Sequence, residues 1–315
     1  MESANRIDAS GVMRPAAGAA DGWLQHGLTD GVVRAALPED GADLTRLLRI
    51  ARFHHQHADW QPPGHWLGQP GALLWQRNGQ ADAFLAATCD PPPVAWLRTF
   101  AIARGAPHAV LATLLEAALP HLMPAGATHL ACITPERWLQ EALRGNGFAQ
   151  SAEIEVWIKR DMEIPPLSPS AVTVRPVEST DYPLLAALEQ RAFADPLWWH
   201  SADQLRQATP HARSFTVAVL DGQPVGFQYS QGTEGHALQS GGHLVRITVD
   251  PAWQGHGIAS TLLADAIETL RRAGIRQMTL NTQADNPAAH RLYARFGFRP
   301  TSARFAVWSR PLAAR

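Results

Sequence analysis

Between residues 245 and 298 the hydrophobic positions change period three times. Val245, Ile247 and Val249 alternate with Arg246, Thr248 and Asp250, as in an extended segment with one buried face. After Asp250-Pro251 the period becomes helical: Ile258, Leu262, Leu263, Ala266, Ile267 and Leu270 share a face, and Gly274 ends the run behind an Arg-rich last turn. Arg276 to Thr282 reads as a second strand. Asn286-Pro287 then opens a second helix with an N-cap residue and a proline at the first helical position. That helix carries Ala289, Leu292, Tyr293 and Phe296 and stops at Gly297-Phe298.

The same succession occurs twice. Val33-Arg34 followed by a helical run over 42–50 parallels Val174-Arg175 followed by 182–193, and the turn Asn78-Gly79-Gln80 parallels Asp221-Gly222-Gln223. Gly147-Phe148 matches Gly297-Phe298, and Glu155-Val156-Trp157 matches Ala306-Val307-Trp308. The offset is about 140–150 residues throughout, the size of one ordinary domain. The chain therefore reads as a loose arm over 1–30, a first copy over 31–160, a proline-rich linker over 161–170 and a second copy over 171–315.

Composition narrows the class. Hydrophobic residues at 46% with 17% charged describe a globular protein with ample core, and a net charge of −1 gives no basic surface for nucleic acid. No apolar run is long enough to span a membrane, and the first thirty residues hold no hydrophobic signal core. Two cysteines, Cys89 and Cys132, fit a reducing, cytoplasmic compartment and form no metal-ligand pair.

Chemistry concentrates in the second copy. The turn Gln254-Gly255-His256-Gly257-Ile258-Ala259-Ser260 sets two glycines before a helix N-terminus, where free N–H groups and the helix dipole favour an anion such as a diphosphate. Alone, such a turn is equally a backbone necessity. Combined with Asn286, Leu292-Tyr293 and Gly297-Phe298, the spacing of Gln254, Gly257 and Ala259 resembles the GCN5-related N-acetyltransferase (GNAT) superfamily.

The resemblance implies an α/β (α+β) fold of two tandem GNAT-like domains, each a mixed, mainly antiparallel twisted sheet flanked by helices. It implies acetyl-CoA as acyl donor, with no metal. Backbone groups of Ile247, Thr248 and Val249 would pair with the pantetheine arm and bind the thioester carbonyl, Gly255 to Ser260 would wrap the diphosphate, and Asn286 would contact the arm. Tyr293 would be the general acid, because a phenol of pKa about 10 can protonate a departing thiolate of pKa about 8.5 without itself being ionised. Outside that motif, Tyr293 reads as a core aromatic at helical spacing.

The expected reaction is direct attack by the amine of a small molecule or peptide in a ternary complex, since neither cysteine lies in the second copy to carry an acyl group. An amino-sugar or mycothiol-type molecule is an alternative acceptor, and a non-catalytic acyl-CoA-binding or sensing protein is the alternative function. Some family members place a Glu base five residues before the Asn; this chain has Asn281 there, so His243, His200 or Glu234 must be considered. The oligomeric state is left open.

The first copy departs from the motif. Proline 107 is expected where the second copy has Gly257, and Leu143 stands for Tyr293, so this copy is expected to keep the fold, lose acid catalysis and serve as a docking partner and a wall of the acceptor cleft. His54, His55, His57 and His65 cluster nearby; His54 and His57 would share one face of a helix, but no acidic or thiol partner suggests a metal. Trp198 and Trp199 are expected either to line the acceptor pocket or to pack between the copies.

Overall fold

A computed structural model describes residues 31–57, 61–232 and 241–312; the arm over 1–30 and Glu234 lie outside the described residues. The first half runs β1 (Val32–Ala35), α1 (Gly41–Ile50), β2 (Phe53–Gln56), β3 (Ala72–Arg77), β4 (Gln80–Thr88), β5 (Val94–Ile102), α2 (Pro107–Leu122), β6 (His129–Thr134), α3 (Arg137–Gly145) and β7 (Ala149–Lys159). The second runs β8 (Thr173–Pro176), α4 (Tyr182–Ala192), α5 (Ala202–Ala208), β9 (Ser214–Leu220), β10 (Gln223–Gly232), β11 (Gly242–Val249), α6 (Ile258–Arg272), β12 (Met278–Gln283), α7 (Pro287–Arg295) and β13 (Arg299–Pro311).

The duplication is visible in detail. Both hairpins turn on a residue pair with positive φ, Asn78-Gly79 and Asp221-Gly222, which matches the twist of the flanking strands. In each copy an arginine on the first strand grips an aspartate bidentately, Arg34 on Asp40 and Arg175 on Asp181, and that aspartate also accepts the N–H of Leu37 or Glu178. These pairs set the angle at which α1 and α4 leave their strands.

The sheets are not separate, as two tandem domains would suggest. Among the described residues, all strands join one 13-stranded sheet in the order β1-β3-β4-β5-β6-β13-β7-β12-β11-β10-β9-β8, with β2 paired to β5. The last strand of each copy crosses over: β13 pairs with β6 of the first, and β7 pairs with β12 of the second. Because β7 and β13 also pair with each other, no edge is left open at the centre. Trp157 of β7 thereby enters the core of the second copy with Leu263, Ile267, Met278, Tyr293 and Phe298. At the junction Val94, Trp96, Ala131 and Ile154 pack with Leu197 and Val307, Trp198 lying against them.

His54 and His55 lie on β2, not on a helix, and the described residues contain no group of three or more potential metal ligands. No helix among them is long and apolar enough to cross a membrane.

Candidate active site

The site begins with a departure of two parallel strands. β11 and β12 pair only over Gly242–Leu244 and Met278–Leu280. The register of β11 with β10 then shifts so that Val245 is an extra, bulged residue. Beyond it β11 diverges from β12, and Arg246 to Val249 keep a strand partner on one side only. The opening widens into a cleft of about 1250 Å³. Tyr293, Asn286, Ile247, Thr248, Val249 and the whole turn from Gln254 through Ser260 line this one cleft.

The turn has the geometry an anion needs. Gly255 and Gly257 hold φ of 82° and 78°, and a Cβ at either would enter open space. The N–H groups of Ile258, Ala259 and Ser260, the first turn of α6, have no acceptor among the described residues. Gln254 braces the turn by donating from Nε2 to the Val249 carbonyl at 3.2 Å. Valine in place of Gly257 forces a β-branched residue into the left-handed region at a cost of about 1–3 kcal/mol. Acetyl-CoA affinity should fall at least about tenfold by calorimetric titration; unchanged affinity would remove the turn from the binding site.

Asn286 caps α7 by accepting the Ala289 N–H at 3.0 Å, while its Nδ2 is only 3.5 Å from Gln283 Oε1. Tyr293 is buried, its ring 6.4 Å from Trp157 and 5.9 Å from Phe298. Burial pushes its phenol well above its usual pKa, with the Arg246 charge opposing. It therefore stays protonated at neutral pH, the state required of an acid.

In the first copy the equivalent slot is closed. β5 and β6 pair over Val94–Trp96 and His129–Ala131 and part at a bulge on Arg98, as β11 does at Val245. The freed edge of β5 is taken by β2: Phe53 pairs with Ile102, His54 with Ala101, His55 with Phe100 and Gln56 with Thr99. Phe53 packs at a tilt against Trp138, ring centroids 5.1 Å apart, and His55 Nδ1 lies 3.2 Å from Glu136, which stands at the N-cap position of Asn286. The turn also differs from expectation. It runs only over 103–106, against 250–257 in the second copy, so Pro107 is the first residue of α2 and matches Ile258; Ala106 matches Gly257. Proline there still removes one N–H donor, and the Ala109 N–H is used by the Ala106 carbonyl.

First-copy residues nevertheless reach the cleft of the second: His57, Trp96 and Arg98 line it together with Phe193, Trp198 and Trp199. Trp198 thus both lines the cleft and packs at the junction; Trp199 Nε1 is tied to the Phe193 carbonyl at 2.8 Å. Asn281 lines the cleft, while His243 does not; it bonds Thr279 Oγ1 at 2.8 Å, and burial lowers its pKa to about 4.

A buried ion cluster at the cleft was missed by motif reading. Glu189 is fully buried, 2.8 Å from Arg246 Nε, and accepts the His200 N–H at 2.7 Å. Burial opposes its ionisation, but the Arg246 charge and the His200 hydrogen bonds outweigh burial and hold its carboxyl below the usual value. Burial and Arg246 together lower His200. The available signal was one charged residue on the apolar face of α4, beside Leu185 and Leu188. Glu189→Gln leaves Arg246 without its counter-charge and is expected to lower unfolding free energy by about 3 kcal/mol in urea melts at pH 7. Because the folded pKa of Glu189 is depressed, the deficit relative to wild type should shrink as pH falls through that value.

A diverging parallel strand pair with a bulge, a glycine turn on a helix N-terminus and a buried tyrosine beyond an Asn cap define a site of the acetyltransferase class. Comparison bears this out, and the chain belongs to the acetyltransferase (GNAT) family, whose model matches residues 176–298. It is 30% identical over 132 residues to the [ribosomal protein bS18]-alanine N-acetyltransferase of Escherichia coli strain K12, covering 42% of this chain and 84% of that protein. It is 32% identical over 163 residues to a mycothiol acetyltransferase of Brachybacterium faecium, covering 50% of this chain and 41% of the relative. The match spans about half the length of the mycothiol acetyltransferases. In fold it is similar to a tandem GNAT protein from the clavulanic acid biosynthesis pathway, with a TM-score of 0.62 and 17% identity over 91% of this chain and 100% of that one.

Proposed function

We propose that the second copy transfers an acetyl group from acetyl-CoA to an amine of a small molecule or peptide by direct attack. One observation carries the reading: the open edge of β11, the free N–H groups at the start of α6 and the buried Tyr293 converge on one cleft. Bound acetyl-CoA supplies the activated thioester. The backbone of Ile247 to Val249 lies where it can pair with the pantetheine arm and donate to the carbonyl oxygen as charge develops there. The turn and helix terminus hold the diphosphate, and Tyr293 gives its proton to the departing sulfur.

The closed slot of the first copy supports one cofactor site per chain. Titration of acetyl-CoA into the intact chain should give one site, and thiol release should rise when an accepted amine is added. No binding would reduce the turn to a structural feature. The mycothiol acetyltransferase relative, together with aromatic walls suited to a sugar ring, favours an amino sugar as one acceptor. Comparing glucosamine with an alanine-terminated peptide separates the two kinds of acceptor.

A further inference from the structure

We propose that His57, a residue of the first copy, receives the proton of the attacking amine in the cleft of the second. The proposal rests on the acyltransferase reading above and supplies the base that reading lacks. Asn281, on β12 where a carboxylate base would stand, lines the cleft but cannot take a proton. His243 lies outside the cleft on Thr279. His200 lines it, but its Nδ1 is held 2.5 Å from Arg246 Nη2 and 3.1 Å from Glu189.

His57 is differently placed. The strand β2 that fills the first copy's slot ends at Gln56, and the chain emerges beside the bulge of β5, where the His57 N–H donates to the Arg98 carbonyl at 2.7 Å. Its ring rests 5.2 Å from Trp96 and lines the cleft. Nδ1 is buried and makes no hydrogen bond among the described residues. A buried ring nitrogen without a partner is costly, so the ring is held there against its own preference by β2 and Trp96. Among the described residues, the charged and titratable groups facing it are Arg98, His55 and His200. Burial first, and then Arg98, hold the imidazole well below its usual pKa, so it is neutral at pH 7 and passes an accepted proton on quickly.

The proton account closes as follows. An ammonium R–NH3⁺ and the thioester give R–NH–COCH3, the free thiol and one H⁺. One nitrogen proton passes to His57 and on to solvent. The C–N bond forms and the C–S bond breaks, Tyr293 protonates the sulfur, and the remaining nitrogen proton restores Tyr293. An ammonium has no lone pair, so the proton passed to His57 leaves before the C–N bond forms; the second, on a nitrogen already bonded to the carbonyl carbon, is more acidic than that of a free amine and is the one that restores Tyr293.

The test uses the intact chain, acetyl-CoA titration, and thiol release at pH 7 with water, glucosamine or hydroxylamine, the last being uncharged at that pH. His57→Gln should keep acetyl-CoA affinity within about twofold and lower release to glucosamine by about 10²–10⁴-fold. It should lose less than about tenfold with water or hydroxylamine, whose attack needs no prior loss of a proton. His54→Gln, exposed on the strand that leads to His57, should leave release unchanged. Unchanged release in His57→Gln, an equal loss with all three acceptors, or no release by the wild type above the uncatalysed rate would overturn the proposal. Failure of the wild type to bind acetyl-CoA would instead overturn the acyltransferase reading beneath it.

Discussion

A chain beginning at Ala171 is expected neither to form a cooperative core nor to bind acetyl-CoA. In the intact protein β7 lies between β12 and β13, and its removal strips β12 of its antiparallel partner and leaves β13 with none in the second copy. It also removes Trp157, which is buried against Tyr293 and Phe298; losing a buried tryptophan alone costs about 3–5 kcal/mol. Lys159 goes too, and with it the 2.6 Å bond from Nζ to the Phe296 carbonyl at the C-terminal end of α7. Those losses approach the whole stability of an ordinary domain, about 5–15 kcal/mol. Near-ultraviolet circular dichroism and acetyl-CoA titration of residues 171–315 against residues 31–315 decide the matter. A folded fragment with full affinity would mean that the crossed strands are dispensable.

Phenylalanine at position 293 is expected to lower thiol release by about 10²–10⁴-fold while leaving acetyl-CoA affinity within about twofold. The ring keeps its contacts with Trp157 and Phe298, and only the hydroxyl is lost. Separation of the two quantities distinguishes an acid from a core aromatic, since a packing role would change affinity or stability and leave chemistry alone. The pH profile adds a second readout. An acid acts when protonated, and burial raises the folded pKa of Tyr293 above the usual phenol value, so any alkaline limb it causes lies above about pH 10. An alkaline limb between pH 8 and 9 that vanishes in Tyr293→Phe would contradict that environment.

Local patterns carried much of this structure. The period over 245–298 foretold β11, α6, β12 and α7 to within about three residues at each end, because alternation and helical spacing depend on the chain's own neighbours. Asn286 was legible as a cap and does cap α7; the pairs Asn78-Gly79 and Asp221-Gly222 were legible as hairpin turns and are. The helical placement of His54 failed because four residues are too few to show a period, and what holds them extended is a neighbouring strand edge. The four-residue difference between the two turns hid the match of Pro107 to Ile258, since counting assumes equal loops.

By itself, then, the sequence determined the duplicated order of elements, the glycine turn before α6 and the presence of Tyr293 beyond an Asn cap, all of which are set by residues near one another in the chain. Only the tertiary structure decided that β7 and β13 change places, that β2 closes the first slot, that Glu189 pairs with Arg246, and that Arg246 and His57 line the second. A strand's edges offer the same N–H and C=O groups to any partner, and a buried charge is stable only beside its counter-charge. Both choices are made between segments more than forty residues apart, where periodicity carries no record of them.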